Sequence, residues 1–510
     1  MEKRQIVNII NFIRAVEPRV EKDLIEPVKE QIKLMKENNL RGTFLVQYDA
    51  LLMPEYIEIL KQLDPNQFEL GVWLEIVQPQ VEAVGLNWSG RYSWDWHTNC
   101  GFSVGYNKEN REKLIDVLYN KFKDIFGYYP RVVGSWLFDT HTLRYVCDNY
   151  ETDAICNCKE QYGTDGYTLW GGYYGQGYYP SRTNNFLPAQ TSAQQLCAPM
   201  FRMLGSDPVY QFDDGLDLNN SAPKIQRVFT LEPSCKIAGQ NKTWVNWYMK
   251  ENFNGDCLSF GYAQAGQENS FGWACMKDAL YYQFKLFAEL QEQGKIVCET
   301  MGESGRWFKE NYKETPASAI TAHCAFDDEN KKSVWYCSKN YRINLYKDDE
   351  GIRIRDLHIF NENYPDPYED VVCTSNSAKY DTLPVIDGNL FSGNGVLSGG
   401  YITYCDSSMP VSTEMTFADE GDGVAKVTFG ELEFTLAPDG LKITSKQEFI
   451  FKNQIGQKSE NLPTVKELND KYITLCHNGF DYSVKLLKGS FENKTTLKSD
   501  RNCLEVSFVE

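Results

Sequence analysis

The first three fifths of the sequence alternate between buried strand-like segments and amphipathic helix-like segments. The strand-like segments Gln5–Ile13 and Gly42–Val46 are almost continuously apolar, whereas Leu24–Asn38 repeats apolar residues with helical spacing. Strands that alternate with helices pair in parallel and are covered by those helices. The alternation therefore indicates a parallel α/β fold for residues 5–315.

Eight strand-like segments occur in this region, which is enough to close a barrel. No G-x-G-x-x-G pattern follows the first strand, which disfavours a dinucleotide-binding fold. We therefore predict a (β/α)7-8 barrel, in which parallel strands form a cylinder inside a ring of helices. The remaining predicted strands are Phe68–Val77, Arg131–Phe138, Ala154–Asn157, Met200–Leu204, Leu258–Ala263 and Ile296–Thr300, and the remaining predicted helices are Pro54–Leu63, Lys108–Phe126 and Met276–Gln293.

The pattern of the sequence changes after Pro316. Short runs such as Arg342–Tyr346 and Ile352–Phe360 alternate apolar and polar residues, and turn pairs such as Asp387-Gly388 separate such runs. This pattern is typical of an antiparallel β-sandwich. We predict two domains, a barrel over residues 1–316 and a C-terminal β-sandwich over residues 317–510.

Composition excludes several classes of function. Acidic residues number 70 against 52 Lys and Arg, which argues against nucleic acid as a partner. No run approaches the roughly 18 apolar residues of a membrane span. The 15 cysteines form no C-x-x-C pair, and the N-terminal segment lacks a signal-peptide pattern. We expect a cytoplasmic protein with free thiols and no cofactor, and the sequence leaves a homodimer open.

Polar side chains follow the carboxyl ends of the predicted strands, where barrel enzymes place their reacting groups. Glu75 lies in an apolar stretch that would raise its pKa, as a general acid requires, although a pairing with an Arg at a strand edge is the alternative. Asp139 precedes His141 by two residues, and an N-cap of the next helix is the alternative there. Our proposed catalytic residues are Asp139, Glu75, Glu268, Glu303 and His141, with Arg14 and Arg202 as substrate-binding residues.

Two segments concentrate aromatic residues, which make up 14% of the chain. Residues 162–179 hold seven aromatics and six glycines, among them Trp170 and Tyr173. Residues 88–97 contain Trp94, Trp96 and His97. Flat rings with polar edges stack on sugar faces, so we predict that both loops bind an oligosaccharide or glycoconjugate. Packing of the loops against the protein itself is the alternative.

The histidine spacing argues against a metal site. Only five histidines occur, and none forms the H-x3-H or H-x4-H pair that commonly binds a metal ion. A G-x-S-x-G serine-hydrolase motif is also lacking. We therefore predict chemistry based on carboxylates.

Several local motifs resemble the NodB-type polysaccharide deacetylases and the related barrels of glycoside hydrolase families 57 and 38. GTFLV at residues 42–46 resembles their second-strand ATFFV signature, and FELGVW at residues 68–73 resembles the HEIG strand that leads to metal-binding histidines. Here Glu75 stands where those histidines would be, and QFDDG at residues 211–215 lies far from the first strand, where the family has TFDDG. The resemblance implies the barrel over about residues 5–315 more than it implies deacetylation.

The plan of a barrel followed by a β-sandwich also resembles a group of gut-bacterial proteins placed near carbohydrate enzymes, and the family 156 sialidases. The sialidases' use of a histidine and an acidic residue would fit His141 with Asp139 or Glu75. Our leading hypothesis from the sequence is a metal-independent glycoside hydrolase that acts on an oligosaccharide. The alternatives are a metal-dependent carbohydrate deacetylase, a non-catalytic sugar-binding protein, and isomerase or lyase chemistry.

Overall fold

The computed structural model describes residues 3–219, 225–405, 414–456 and 461–509. Its first part is a mixed α/β fold built on one curved sheet. The elements in chain order are β1 (Gln5–Ile13), α1 (Glu26–Glu37), β2 (Gly42–Val46), α2 (Pro54–Lys61), β3 (Phe68–Trp73), α3 (Gln78–Ala83), α4 (Thr98–Gly101), α5 (Lys108–Phe126), β4 (Val132–Ser135), α6 (Thr140–Asn149), β5 (Ala154–Asn157), β6 (Gln161–Thr164), β7 (Tyr167–Leu169), β8 (Gly177–Tyr178), β9 (Met200–Arg202), α7 (Lys242–Asn252), β10 (Gly261–Ala265), α8 (Trp273–Glu292), β11 (Val297–Glu299) and α9 (Met301–Asn311).

The strand order of this sheet is β10-β1-β2-β3-β4-β5-β9-β8, and β11 pairs with β1. All pairs are parallel except β8 with β9. The described residues show no ladder between β9 and β10, where Gly205 N–H donates to the carbonyl of Gln264 at 3.3 Å. The sheet is therefore nearly closed, and the predicted barrel is confirmed in part.

Three predicted strands match the observed ones to the residue, whereas the predicted strands Phe68–Val77 and Arg131–Phe138 end earlier, at Trp73 and Ser135. Gln5–Ile13, Gly42–Val46 and Ala154–Asn157 match to the residue. These strands are buried almost throughout, since the sheet is covered on both faces, and a continuous apolar run is the pattern that such strands leave in a sequence.

The second part of the chain consists of antiparallel sheets. Its elements are β12 (Ser318–Ala322), β13 (Lys332–Cys337), β14 (Tyr341–Asp348), β15 (Gly351–Ile359), β16 (Ala378–Tyr380), β17 (Leu383–Asp387), β18 (Gly399–Tyr404), β19 (Met415–Gly421), β20 (Val424–Phe429), β21 (Leu432–Ala437), β22 (Gly440–Thr444), β23 (Phe449–Gln454), β24 (Thr464–Leu468), β25 (Tyr472–His477), β26 (Phe480–Lys488), β27 (Ser490–Asn493), β28 (Thr496–Lys498) and β29 (Cys503–Ser507).

Two large sheets account for most of these strands. One has the order β12-β13-β14-β15-β18-β23-β28-β27 with β17 on β15, and the other has the order β19-β20-β21-β22-β29-β26-β25-β24. The predicted β-sandwich is thus supported as a pair of antiparallel sheets. The exception is β16, which pairs in parallel with β7 of the first part and so joins the two parts in one small sheet.

A buried polar cluster fastens the glycine-rich loop of the first part to the second part. The guanidinium of Arg342 donates to both carboxylate oxygens of Asp356, at 2.8 and 2.7 Å, and lies 2.9 Å from Glu160. The φ of Gly171 is +84°, and a Cβ there would lie 2.3 Å from Thr382 Oγ1, so the loop requires glycine at this contact. This packing is specific and involves residues from both parts.

Arg342 should therefore be essential for stability. Arg342→Met leaves Asp356 and Glu160 buried without their cation, so we expect an apparent loss of about 3–5 kcal/mol of unfolding free energy. The matched control is Lys339→Met, which removes an exposed ion pair with Glu314 and should cost at most about 1 kcal/mol. Urea denaturation of both variants tests this, and equal losses would contradict it.

Candidate active site

Three charged residues follow the carboxyl ends of neighbouring strands at one end of the barrel. Arg14 directly follows β1, Glu75 lies two residues after β3, and Glu268 lies three residues after β10. The strand order β10-β1-β2-β3 places these ends side by side. Parallel strands bring the residues after their carboxyl ends to the same edge, which explains why the three side chains meet.

Arg14 is the centre of this group. Its Nη2 atom donates to Glu75 Oε2 at 2.9 Å and to Glu268 Oε2 at 2.7 Å, and all three side chains are almost fully buried. Tyr56 and Asn269 hold the Arg14 carbonyl through donated hydrogen bonds. The guanidinium is thus fixed between two carboxylates that would otherwise repel each other.

Glu75 is poised to exchange a proton near neutral pH. Burial raises the pKa of its carboxyl group to about 7, while Arg14 acts in the opposite direction. Trp73 Nε1 donates to Glu75 Oε2 at 2.7 Å. Among the described residues no hydrogen bond reaches Glu75 Oε1, so this oxygen remains available to a ligand.

These residues line a pocket of about 200 Å³. Its walls combine carboxylates with large aromatic rings. The lining includes Arg14, Arg19, Glu75, Trp94, Trp96, Phe102, Trp136, Asp165, Tyr167, Glu232, Gln267 and Glu268.

A stack of guanidinium groups and indole rings leads from the pocket floor to the surface. The Arg14 guanidinium lies 4.0 Å from the ring centre of Trp94. Arg19 lies over both Trp94 and Trp96, at 5.2 and 5.1 Å. Cation–π contacts of this kind hold the rings at a fixed angle. Trp94 and Trp96 thus line the pocket, and their role in binding a sugar stays a prediction.

Two further pocket residues were not among the residues singled out from the sequence as catalytic or binding. Burial raises the pKa of Glu232 to about 7, and Ser234 donates to its carboxylate. Gln267 is fully buried, and its Nε2 donor has no partner among the described residues. Glu232 lies in a long stretch without strands, so it could not be identified by its position after a strand end. Its only sequence signal is a carboxylate in an apolar run.

Asp139 and His141 do not lie in this pocket. Asp139 caps α6 by accepting from Thr142 N–H at 2.9 Å and pairs with Arg111 at 2.9 Å. His141 on α6 contacts Glu112 at 2.9 Å. The N-cap alternative for Asp139 is the one that the structure shows, because its carboxylate accepts a hydrogen bond from the first turn of α6, whose N–H groups have no partner within the helix.

Glu303 and Arg202 also lie elsewhere. Glu303 forms a capping box with Thr300 at the start of α9. Arg202 donates to the Cys158 carbonyl at 2.6 Å and faces a closed cavity of about 20 Å³, which it shares with Tyr173. That volume suits about one water molecule and not a sugar.

The glycine-rich aromatic loop is mostly interior. Trp170 is 1% exposed, and its Nε1 donates to Asp387 at 2.7 Å. Tyr173 is fully buried and donates to Ser318 Oγ at 2.8 Å. Neither residue can be the exposed platform that the sequence predicted, because the second part of the chain covers both. His97 is half-buried beside Trp96 but is not part of the pocket lining.

The residues of the pocket do not fit a metal ion. A cation bridging Glu75 and Glu268 would need the place that the Arg14 guanidinium occupies. In the described ranges, one group of three His, Cys, Asp or Glu residues is close enough to share an ion, Asp356 with His358 and Asp387, and it lies outside the pocket. In that group Arg342 already donates to Asp356, and Trp170 already donates to Asp387.

The 15 cysteines are free thiols in the structure. In the described part of the chain no helix has the length and hydropathy needed to cross a membrane.

No protein-family model matches the sequence, and no curated protein shows significant similarity to it. Solved structures do resemble the fold. A protein from Parabacteroides distasonis, described as a candidate glycoside hydrolase/deacetylase, has a TM-score of 0.54 at 13% identity, covering 75% of this chain and 90% of that one. This likeness shows the fold.

Two further solved structures have lower TM-scores. A polysaccharide deacetylase from Mycobacterium smegmatis has a TM-score of 0.36 at 12% identity over 61% of this chain and 92% of that chain. A family 57 branching enzyme from Thermococcus kodakaraensis has a TM-score of 0.33 at 8% identity over 61% and 72%. The similarity in fold to the Parabacteroides distasonis protein supports the expected barrel in part.

The prediction that the chain is a glycoside hydrolase is wrong. The structures that resemble it are mainly described as polysaccharide deacetylases, whose name refers to an acyl bond and not to an O-glycosidic bond.

The separate positions of Asp139 and Glu75 predict different effects of substitution. Asp139→Ala leaves Arg111 buried without its partner and should cost about 3–5 kcal/mol of unfolding free energy. Glu75→Gln is isosteric and leaves Arg14 paired with Glu268, so it should cost much less. Chemical denaturation of both variants measures the difference. Wild-type stability of Asp139→Ala would contradict the structural role of this residue.

Proposed function

We propose that this protein is a carbohydrate deacetylase that works at the barrel mouth without a metal ion. The observation that carries the proposal is Glu75, whose pKa of about 7 and unpartnered Oε1 suit a general base, next to the guanidinium of Arg14. The similarity in fold to structures described as polysaccharide deacetylases supports an acyl group as the target.

The residues supply each role that acyl hydrolysis needs. Ionised Glu75 accepts a proton from water as the water oxygen bonds to the acyl carbon. The Nε and Nη1 donors of Arg14, which the described residues leave without acceptors, stabilise the negative oxygen that forms. Protonated Glu75 then donates to the leaving nitrogen or oxygen as its bond to the acyl carbon breaks. The products are acetate and a sugar amine or hydroxyl.

The pocket charge indicates which sugars it accepts. Glu75, Glu232, Glu268 and Asp165 outnumber the cations Arg14 and Arg19 in the lining. An acidic sugar would be repelled, whereas a neutral acetylated sugar would not. The rings of Trp94, Trp96 and Trp136 offer apolar faces to such a sugar. We therefore propose a neutral acetylated oligosaccharide as the substrate.

We propose that residues 1–316 contain the reacting groups and that residues 317–510 hold the barrel loops in place. The contacts of Trp170 with Asp387 and of Arg342 with Glu160 support this division.

Release of acetate tests the proposal. Wild-type protein treated with EDTA should release acetate from acetylated chitin or xylan oligosaccharides, and Glu75→Gln should lower kcat by about 10²- to 10⁴-fold. Glu112→Gln, which alters a carboxylate paired with His141 outside the pocket, is the control and should keep the activity. Sugar binding without acetate release by the wild type would favour a non-catalytic sugar-binding protein.

The pH dependence provides an independent test. Because the base must be ionised, kcat/KM should rise as pH increases through about 7 and level off above it. A flat profile from pH 5 to pH 9 would remove Glu75 from the role of base.

A further inference from the structure

The two large antiparallel sheets of the second part enclose an apolar cavity of about 360 Å³. Ile354 and Ile386 line it from one sheet, and Ile443, Leu475 and Val484 line it from the other. The cavity is far larger than the space that native packing normally leaves, because protein interiors contain few voids larger than a water molecule. An apolar cavity of roughly 150 Å³ already binds benzene.

Three of the lining residues are slightly more exposed to solvent than two buried residues of the barrel strands. Ile473, Leu475 and Val484 are each 7% exposed although they sit between two sheets, whereas Ile9 and Val46 in the barrel are 0% exposed. The cavity is partly open, and Val465 at its edge is 40% exposed.

Few polar residues line the cavity: Asn453 on β23, whose Oδ1 is buried without a partner among the described residues, Thr464 on β24, and Lys494 and Thr495. Lys494, on the turn between β27 and β28, is exposed and forms no ion pair within the described residues. It is the sole charged residue of the lining. The site thus combines an interior of aliphatic side chains and phenylalanines with one cation, the exposed Lys494.

We propose that this cavity binds a free linear aliphatic acid, with the chain between the sheets and the carboxylate beside Lys494. Burial of the chain removes apolar surface of both partners from water, which is the main source of affinity in such a site. Lys494 selects an acidic head group over a neutral one. This site is independent of the pocket at the barrel mouth.

Calorimetric titration of the full chain with dodecanoate and with dodecanol, below their micelle concentrations, tests the proposal. Dodecanoate should bind with one-to-one stoichiometry, and hexanoate should bind more weakly because less chain is buried. Lys494→Ala should weaken dodecanoate binding by roughly fivefold and leave dodecanol binding unchanged. Lys442→Ala, an exposed lysine on β22, is the control and should change neither.

Variants that fill the cavity with a larger side chain provide a second test of the proposal. Val484→Phe places a ring in the space and should abolish dodecanoate binding, whereas Ser483→Phe adds the same ring on the opposite face of β26 and should not. A melting temperature at or above that of the wild type would show that Val484→Phe is folded. If it does not fold, competition between hexanoate and dodecanoate on the wild type decides.

Three results would overturn the proposal. The first is the absence of saturable dodecanoate binding to the wild type. The second is unchanged binding in a folded Val484→Phe variant, which would locate the ligand elsewhere. The third is equal affinity for dodecanoate in the wild type and in Lys494→Ala, which would refute the role of the acidic head group.

Discussion

The buried guanidinium of Arg14 is the interaction on which the barrel mouth depends. Two carboxylates, those of Glu75 and Glu268, lie within hydrogen-bond distance of one of its nitrogens, at positions nearly closed to solvent. Charges at such positions are tolerated only when they are paired and hydrogen-bonded. Arg14 satisfies both carboxylates at once, and its contact with Trp94 fixes the indole that forms the adjoining wall. Without this cation the pocket would contain two mutually repelling carboxylates, and the raised pKa of Glu75 would rise further.

The sequence predicted those parts of the structure that depend on local pattern. The strands β1, β2 and β5 were predicted to the residue, and Arg14, Glu75 and Glu268 were found because each follows a strand end in a parallel sheet. Asp139 follows a strand end as well, yet it caps α6, because a carboxylate before a helix serves either role and only the position of Arg111 distinguishes them. The burial of Trp170 depends on Asp387, which lies 217 residues away in the sequence, so no local signal could show it.

Fold and chemistry are separable in this protein. A fold alone does not determine the reaction that a protein catalyses. In the reaction that we propose, the decisive groups are the carboxyl group of Glu75, whose pKa burial raises to about 7, the adjacent guanidinium of Arg14 and a wall of indoles. The Nη2 atom of Arg14 takes the place between the carboxylates that a bridging metal ion would need, and in the proposed reaction the other donors of the same guanidinium stabilise the negative oxygen.

The most direct test of this account is a crystal structure of the Glu75→Gln variant soaked with a neutral acetylated oligosaccharide. The account predicts that the sugar packs on Trp94 and Trp96, with the acetyl carbonyl oxygen within hydrogen-bond distance of the Arg14 guanidinium and the acetyl carbon next to the amide of residue 75. An oligosaccharide bound elsewhere on the protein, or bound in this pocket with its acetyl group directed away from Arg14, would contradict it.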